Sequence, residues 1–221
     1  MLKSRTLLIP LALSFLFLSA CNGVNSNTPT NTNAGEPKTG NLKAGVKPEP
    51  DAQVAVIETA DYGRIVIELY PNIAPKMVER FKKLIGEKFY DGTAIHRVDV
   101  SLGIIQGGDP NTKGSSVATY GMGNSPYPNV PAEFSDIPYE RGTLGAARTQ
   151  DVNGANCQWF ITLKKQPAFD KKYTVFGRVI DGIKNAEVIM GAPTATGTPR
   201  PSDKVVIKSV TLQPRSSFPA S

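Results

Sequence analysis

From Gln53 to Pro71 the chain reads QVAVIETADYGRIVIELYP, two β-rich stretches around Asp61-Tyr62-Gly63. That tripeptide is a turn signal, so the pattern predicts a hairpin. In the second stretch Ile65, Ile67 and Leu69 share one face while Glu68 points the other way. The period then changes. Pro75 suits a first helical turn, and Met77, Val78, Phe81, Leu84 and Ile85 recur at three-to-four spacing. Glu79, Arg80, Lys82 and Lys83 lie opposite them, and Gly86 suits the exit, which predicts one amphipathic helix. Beyond it TAIHRV, LGIIQ, GTLGAA, CQWFITL and YTVFGRVI are short β-rich runs, and DKVVIKSVTLQ closes the series as a strand. DGIKNAEVIMG reads as a second short helix with Ile183, Ala186, Ile189 and Met190 on one face. A long loop rich in Gly, Pro, Ser and Asn lies between Asp109 and Pro131. Many short strands with two helices predict a closed or nearly closed β-barrel capped by helices. No internal repeat of the 20–50 residue kind is present.

The ends of the chain have a different texture. Residues 1–20 begin with MLKSR, continue as the apolar run TLLIPLALSFLFL and end in small residues, the three-part pattern of a secretory signal. The run is shorter than the ~20 residues a spanning helix needs, and Pro10 interrupts it. Leu18-Ser19-Ala20-Cys21 resembles the bacterial lipobox, which implies cleavage before Cys21 and lipidation of that cysteine. Several acyl chains, at ~0.8 kcal/mol per buried methylene, give stable anchoring. From residue 22 to 52 the sequence is rich in Asn, Thr, Pro, Gly and Lys and has no aromatic residue. Such a segment cannot bury enough apolar surface to order itself, so residues 21–52 are expected to form a lipidated, disordered tether with a reach of roughly 30 Å. The globular domain is expected over 53–215 and a short tail over 216–221.

Charge and cysteines narrow the function. The net charge of +6 includes Lys3 and Arg5 of the leader, and the rest is spread without a basic run. A nucleic-acid surface would want a basic stripe with interleaved aromatics, which is missing. Only two cysteines occur, so lipidation of Cys21 leaves Cys157 without a disulfide partner. Cys157 reads as a small buried side chain rather than a nucleophile. The one histidine, His96, would have to serve any hydrolytic triad alone, which disfavours a hydrolase. No metal site and no cofactor are expected.

The stretch IHRVDVSLGIIQGGDP holds that histidine beside Arg97, with Gln106 nine residues further on. It contains no cysteine, no carboxylate pair and no serine set up for attack. FYDGTAIHRV, QGGDP, PAEF, RGTLGAAR, NCQWFIT and YTVFGRVIDG, in this order and spacing, together closely resemble the cyclophilins. These are peptidyl-prolyl cis-trans isomerases built on an eight-stranded antiparallel β-barrel capped by two α-helices. The resemblance runs from about Val54 to Gln213.

It implies roles for particular positions. Arg97 matches the catalytic arginine, and Gln106 the glutamine that braces it and touches the substrate backbone. Ala147 and Gln158 match residues lining the substrate cleft, and Phe160 the aromatic floor of the proline pocket. Phe169 stands where leucine is usual, and Tyr173 where histidine or tyrosine is usual. For Phe160 and Phe169 barrel core is the plain alternative. His96 is either a satisfied wall residue or a substrate contact, and not a base. After Val98 the chain runs Asp99-Val100-Ser101-Leu102-Gly103, one residue longer than the family pattern and without its Pro and Phe. Leu102 or Gly103 must therefore replace the pocket phenylalanine. At Ala168 many eukaryotic members carry a tryptophan that contacts cyclosporin, so weak cyclosporin binding is expected here. Trp159 occupies a position usually held by a buried phenylalanine.

The implied function is isomerisation of X-Pro bonds in exported polypeptides by a monomeric, membrane-tethered enzyme of the cell envelope. The alternative is a cyclophilin-like chaperone or peptide-binding module with little catalysis. Asn22 after the lipidated cysteine favours the outer membrane if the cell has two membranes.

Overall fold

A computed structural model describes residues 42–218. The leader and Cys21 lie outside the described residues. The predicted hairpin forms from β1 (Gln53–Thr59) and β2 (Arg64–Leu69), and its turn is closed by Gly63 at φ +74°, the left-handed region that glycine enters without a Cβ clash. The remaining strands are β3 (Ala94–Ile95), β4 (Arg97–Asp99), β5 (Ile104–Gly107), β6 (Thr143–Ala146), β7 (Trp159–Thr162), β8 (Val175–Asp181) and β9 (Val205–Pro214). They form one antiparallel sheet in the order β3-β9-β1-β2-β8-β6-β7-β5-β4.

Nine strands stand where eight were expected. The difference lies at His96, where the segment from Ala94 to Asp99 breaks into β3 and β4. Before the break it pairs with β9; after it, with β5. The His96 amide donates to the Gln106 carbonyl and Ala94 bridges Asp109, so the two ends of the sheet meet at this segment. The barrel closes where the strand changes partners.

Strand alternation sorts side chains into two sets. Val98, Ile105, Leu144, Ala146, Trp159 and Ile161 point into the main core, with Trp159 fully buried. Their neighbours Arg97, Ile104, Gln106 and Phe160 therefore point outwards. Helix α1 (Pro75–Gly86) starts at Pro75 and covers the barrel with Met77, Val78, Phe81, Leu84 and Ile85. The Phe81 ring meets Tyr90 at 5.3 Å and Phe176 at 5.4 Å. Helix α2 (Ile183–Met190) buries Ala186 and Ile189.

Two boundaries differ from the sequence expectation. The tether was expected to reach residue 52, yet its last ten residues lie against the domain. The Lys43 amide donates to Phe134 O and the Asp136 amide to Lys43 O, while Gly45 N–H binds the Asp136 carboxylate. Asn72 accepts from Glu49 N and donates to Lys47 O, and Asp51 pairs with Lys82 at 2.9 Å. These contacts satisfy a polar strap through hydrogen bonds, so it needs no apolar face of its own. At the other end, Arg215–Ser217 form a 3₁₀ turn and Phe218 packs on Val54, Val56 and Val66. Arg215 Nε binds Glu68 at 2.9 Å. Glu68, on the outward face of β2, is thereby covered, and the domain reaches Phe218.

Candidate active site

The register of three strand pairs builds the site. Arg97 faces Gln106 across β4–β5, Gln106 faces Phe160 across β5–β7, and Phe160 faces Gly145 across β7–β6. An arginine, an amide and an aromatic ring thus stand in one row on the outside of the barrel.

Asp99 holds the arginine. It lies two residues along β4 on the same face, and its Oδ2 accepts from Arg97 Nη2 at 2.8 Å. The other oxygen accepts from Ser101 Oγ at 2.7 Å and from the Leu102 amide at 2.9 Å. One carboxylate therefore ties the β4–β5 loop to the guanidinium. Burial alone would raise the Asp99 carboxyl, but the bonds from Leu102, Ser101 and Arg97 outweigh it and hold its pKa below the usual value. Gln106, expected to brace Arg97, instead donates to Gln158 Oε1 at 3.0 Å. Gln158 Nε2 then donates to the carbonyls of Gly121 and Gly123 at 3.1 and 2.9 Å. Buried Asp109 fixes the same loop by accepting from Gly121 N and from Asn111 N. Two glutamines and an aspartate thus hold the loop from Gly121 to Gly123 beside the row.

His96 is 7% exposed, and neither ring nitrogen has a hydrogen-bond partner. Burial lowers its pKa, against the opposing charge of Asp109, so the ring is neutral near pH 7. It lies at the wall of the cleft and is not poised to take a proton. Cys157 is buried, its thiol pushed up to about 12 by desolvation, which removes it as a nucleophile.

The aromatic cluster lies on the β7 side of the row. Phe160 packs with Ile104, Tyr139, Leu102, Ala147, Phe169 and Tyr173, apart from the main core. Its ring stacks on Tyr139 at 5.6 Å and meets Phe169 and Tyr173 edge-on at 5.5 and 5.6 Å. Phe160 and Phe169 are therefore not barrel core. Of the two candidates for the missing pocket phenylalanine, Leu102 packs into this cluster, whereas a Cβ on Gly103 would meet the Lys164 side chain. Phe160 itself is only 3% exposed, so Phe169, Tyr173 and Leu102 cover most of the expected proline floor. Two clefts flank the row and share Gln106 and Gly121. One, of about 420 Å³, is lined by Ala147, Gln158, Met122 and Asn156. The other, of about 330 Å³, is lined by His96, Arg97, Tyr120 and the segment Thr198-Pro199-Arg200.

Sequence reasoning thus placed Arg97, Gln106, His96, Leu102, Ala147, Gln158, Phe160, Phe169 and Tyr173 around one surface, and the structure brings them together. It missed Asp99, Ile104, Tyr139 and the segment with Arg200. Ile104 was legible, since it precedes Gln106 by two and must share its face. Among the described residues no three His, Cys, Asp or Glu side chains gather to hold a metal.

Comparison with known proteins agrees with this geometry. Residues 54–212 match the family described as cyclophilin type peptidyl-prolyl cis-trans isomerase/CLD. A probable peptidyl-prolyl cis-trans isomerase of Brucella suis is 39% identical over 161 residues, covering 71% of this chain and 82% of that protein. The human peptidyl-prolyl cis-trans isomerase-like 3 is 35% identical, with 69% and 91% covered. A Cryptosporidium parvum cyclophilin, crystallised in the presence of the dipeptide Ala-Pro, superposes with a TM-score of 0.64 at 28% identity. That match covers 72% of this chain and 98% of the other. On sequence and fold together, the chain belongs to the cyclophilin-type peptidyl-prolyl cis-trans isomerases.

Proposed function

We propose that this isomerase acts on X-Pro bonds of exported polypeptides while tethered to a membrane through Cys21, and that Arg97 is the group that lowers the barrier. Peptide-bond rotation is opposed by ~18–20 kcal/mol because the nitrogen lone pair is delocalised into the carbonyl. No bond is made or broken, so no nucleophile or base is required. The twisted amide has its lone pair localised on the prolyl nitrogen, and a fixed guanidinium donates to that nitrogen or to nearby carbonyl oxygens. Being permanently charged, it needs no proton transfer to be ready. A turnover on the order of 10³ s⁻¹ corresponds to a barrier near 13 kcal/mol, so the site must remove roughly 5–7 kcal/mol. The observation that carries the reading is the row Arg97–Gln106–Phe160, with one guanidinium nitrogen held by Asp99. The charge-assisted bond to Asp99 fixes the fork, while Gln106 aligns the substrate backbone and the aromatic cluster around Phe160 takes the proline ring.

The test of the arginine's geometry is Arg97→Lys. It keeps the charge and loses the fork, and the expected result is at least a tenfold fall in kcat/KM, about 1.4 kcal/mol. Unchanged activity would mean that charge alone suffices. The location is tested by Cys21→Ala, which should abolish acyl labelling and release the protein from the membrane fraction; a variant that stays membrane-bound would contradict the anchor. The second reading, a module that holds peptides with little turnover, is favoured by the cover over Phe160. It predicts peptide binding without a rate above the uncatalysed one.

A further inference from the structure

The loop between α2 and β9 reaches the site from the other side of Arg97. Residues 192–202 form an ordered turn: Ala195 N–H donates to Arg200 O at 2.9 Å, Ser202 N–H to Pro193 O at 2.8 Å, and Thr194 bridges Pro201. The Val98 amide on β4 donates to Pro199 O, tying the loop to the strand that carries Arg97. Pro199 and Pro201 flank Arg200 and restrict its backbone on both sides. The loop is thereby built to hold Arg200 beside the cleft.

The charges in the two clefts are one-sided. Arg97 and Arg200 line one and Arg148 the other, and no Asp or Glu lines either. Arg97 is paired with Asp99, and Arg148 donates to the carbonyls of Lys172, Thr149 and Gln150. Arg200 enters none of the ion pairs among the described residues. The same cleft is lined by His96, whose ring nitrogens are buried away from it. The cleft therefore presents, beside Arg97 and Gln106 of the row, an arginine that enters no ion pair. A substrate carboxylate is the group that satisfies such a wall.

We propose that Arg200 is a specificity residue that selects proline segments carrying an aspartate or glutamate close to the X-Pro bond. This deepens the isomerase reading and rests on it for the position of the proline. Partly exposed ion pairs are worth up to ~1 kcal/mol, so the acidic peptide should be favoured about fivefold. That preference should weaken with salt.

The experiment uses the full chain in detergent and pairs of proline peptides that differ only by Glu against Gln at each position flanking the X-Pro bond. For each pair the Glu/Gln ratio is read twice, in kcat/KM for isomerisation and in Kd for binding, for the wild type, Arg200→Ala and Arg200→Glu. The proposal expects one flanking position with a ratio near fivefold, lost in Arg200→Ala and inverted in Arg200→Glu. Using ratios cancels any general loss from a disturbed loop. A ratio near one in the wild type, or a preference that survives both substitutions, overturns it. If no peptide is isomerised, the isomerase reading fails while the binding ratios still decide the role of Arg200.

Discussion

Asp99 does more at this site than any residue the sequence marked out. It caps the turn through Ser101 and Leu102 with one oxygen and holds Arg97 with the other. Asp99→Ala is expected to lower kcat/KM about tenfold and to destabilise the fold by ~1–2 kcal/mol, because loop and guanidinium come loose together. Asp99→Asn keeps an oxygen for the turn and loses the charge, so it should retain more stability than activity. Asp99→Asn with wild-type activity, measured by peptide kinetics beside urea unfolding, would show that the carboxylate serves the loop alone. The pH dependence also belongs to single residues. His96 is neutral above its lowered pKa and Arg97 is always charged, so kcat/KM should be flat from about pH 6.5 to 8. A step in that range would mean a titrating group is needed. Stability behaves differently: the unfolded chain binds a proton at His96 that the folded chain refuses, so stability falls as pH drops below about 6.5. Asp99, depressed in the fold, adds stability that is present above about pH 4 and lost below it.

Among the elements, the β6–β7 pair supplies the floor beneath the aromatic cluster. Gly145 faces Phe160 across that pair, and a Cβ there would collide with the Phe160 ring tip and the Tyr139 hydroxyl. Gly145→Ala should therefore destabilise by ~1–3 kcal/mol and raise KM as the ring is displaced. A variant with unchanged KM would separate Phe160 from substrate binding. The elements themselves were largely legible. β-rich runs around a turn signal located β1 and β2, and the 3.6 period located α1, whose five apolar residues bury one face against the barrel. The break at His96 was not legible, since a strand that changes partners keeps the same residue pattern. Asp99 was hidden for another reason. A polar residue in an irregular loop looks like a departure from the family pattern, and only the β4–β5 register shows that its side chain returns to Arg97. The strap over residues 43–51 was unreadable because its bonds are polar and leave no hydrophobic period.

For the molecule as a whole, the domain is closed by its two ends as well as by its barrel. The strap binds the 134–136 segment, Asn72 and α1, while Phe218 and Arg215 cover the outer face of β1 and β2. A chain starting at Gln53 should therefore melt roughly 2–8 °C below one starting at Leu42, reflecting ~1–2 kcal/mol of lost hydrogen bonds. Equal melting temperatures in calorimetry would mean the strap is only laid on the surface. Everything proposed about catalysis converges on one guanidinium. The direct measurement is the cis-to-trans relaxation rate of a short X-Pro peptide with the wild-type chain and with Arg97→Ala. The account predicts clear acceleration by the wild type and a loss of at least tenfold in the variant, about 1.4 kcal/mol of barrier lowering. Equal acceleration by both proteins would contradict it and place the catalytic group elsewhere on the row.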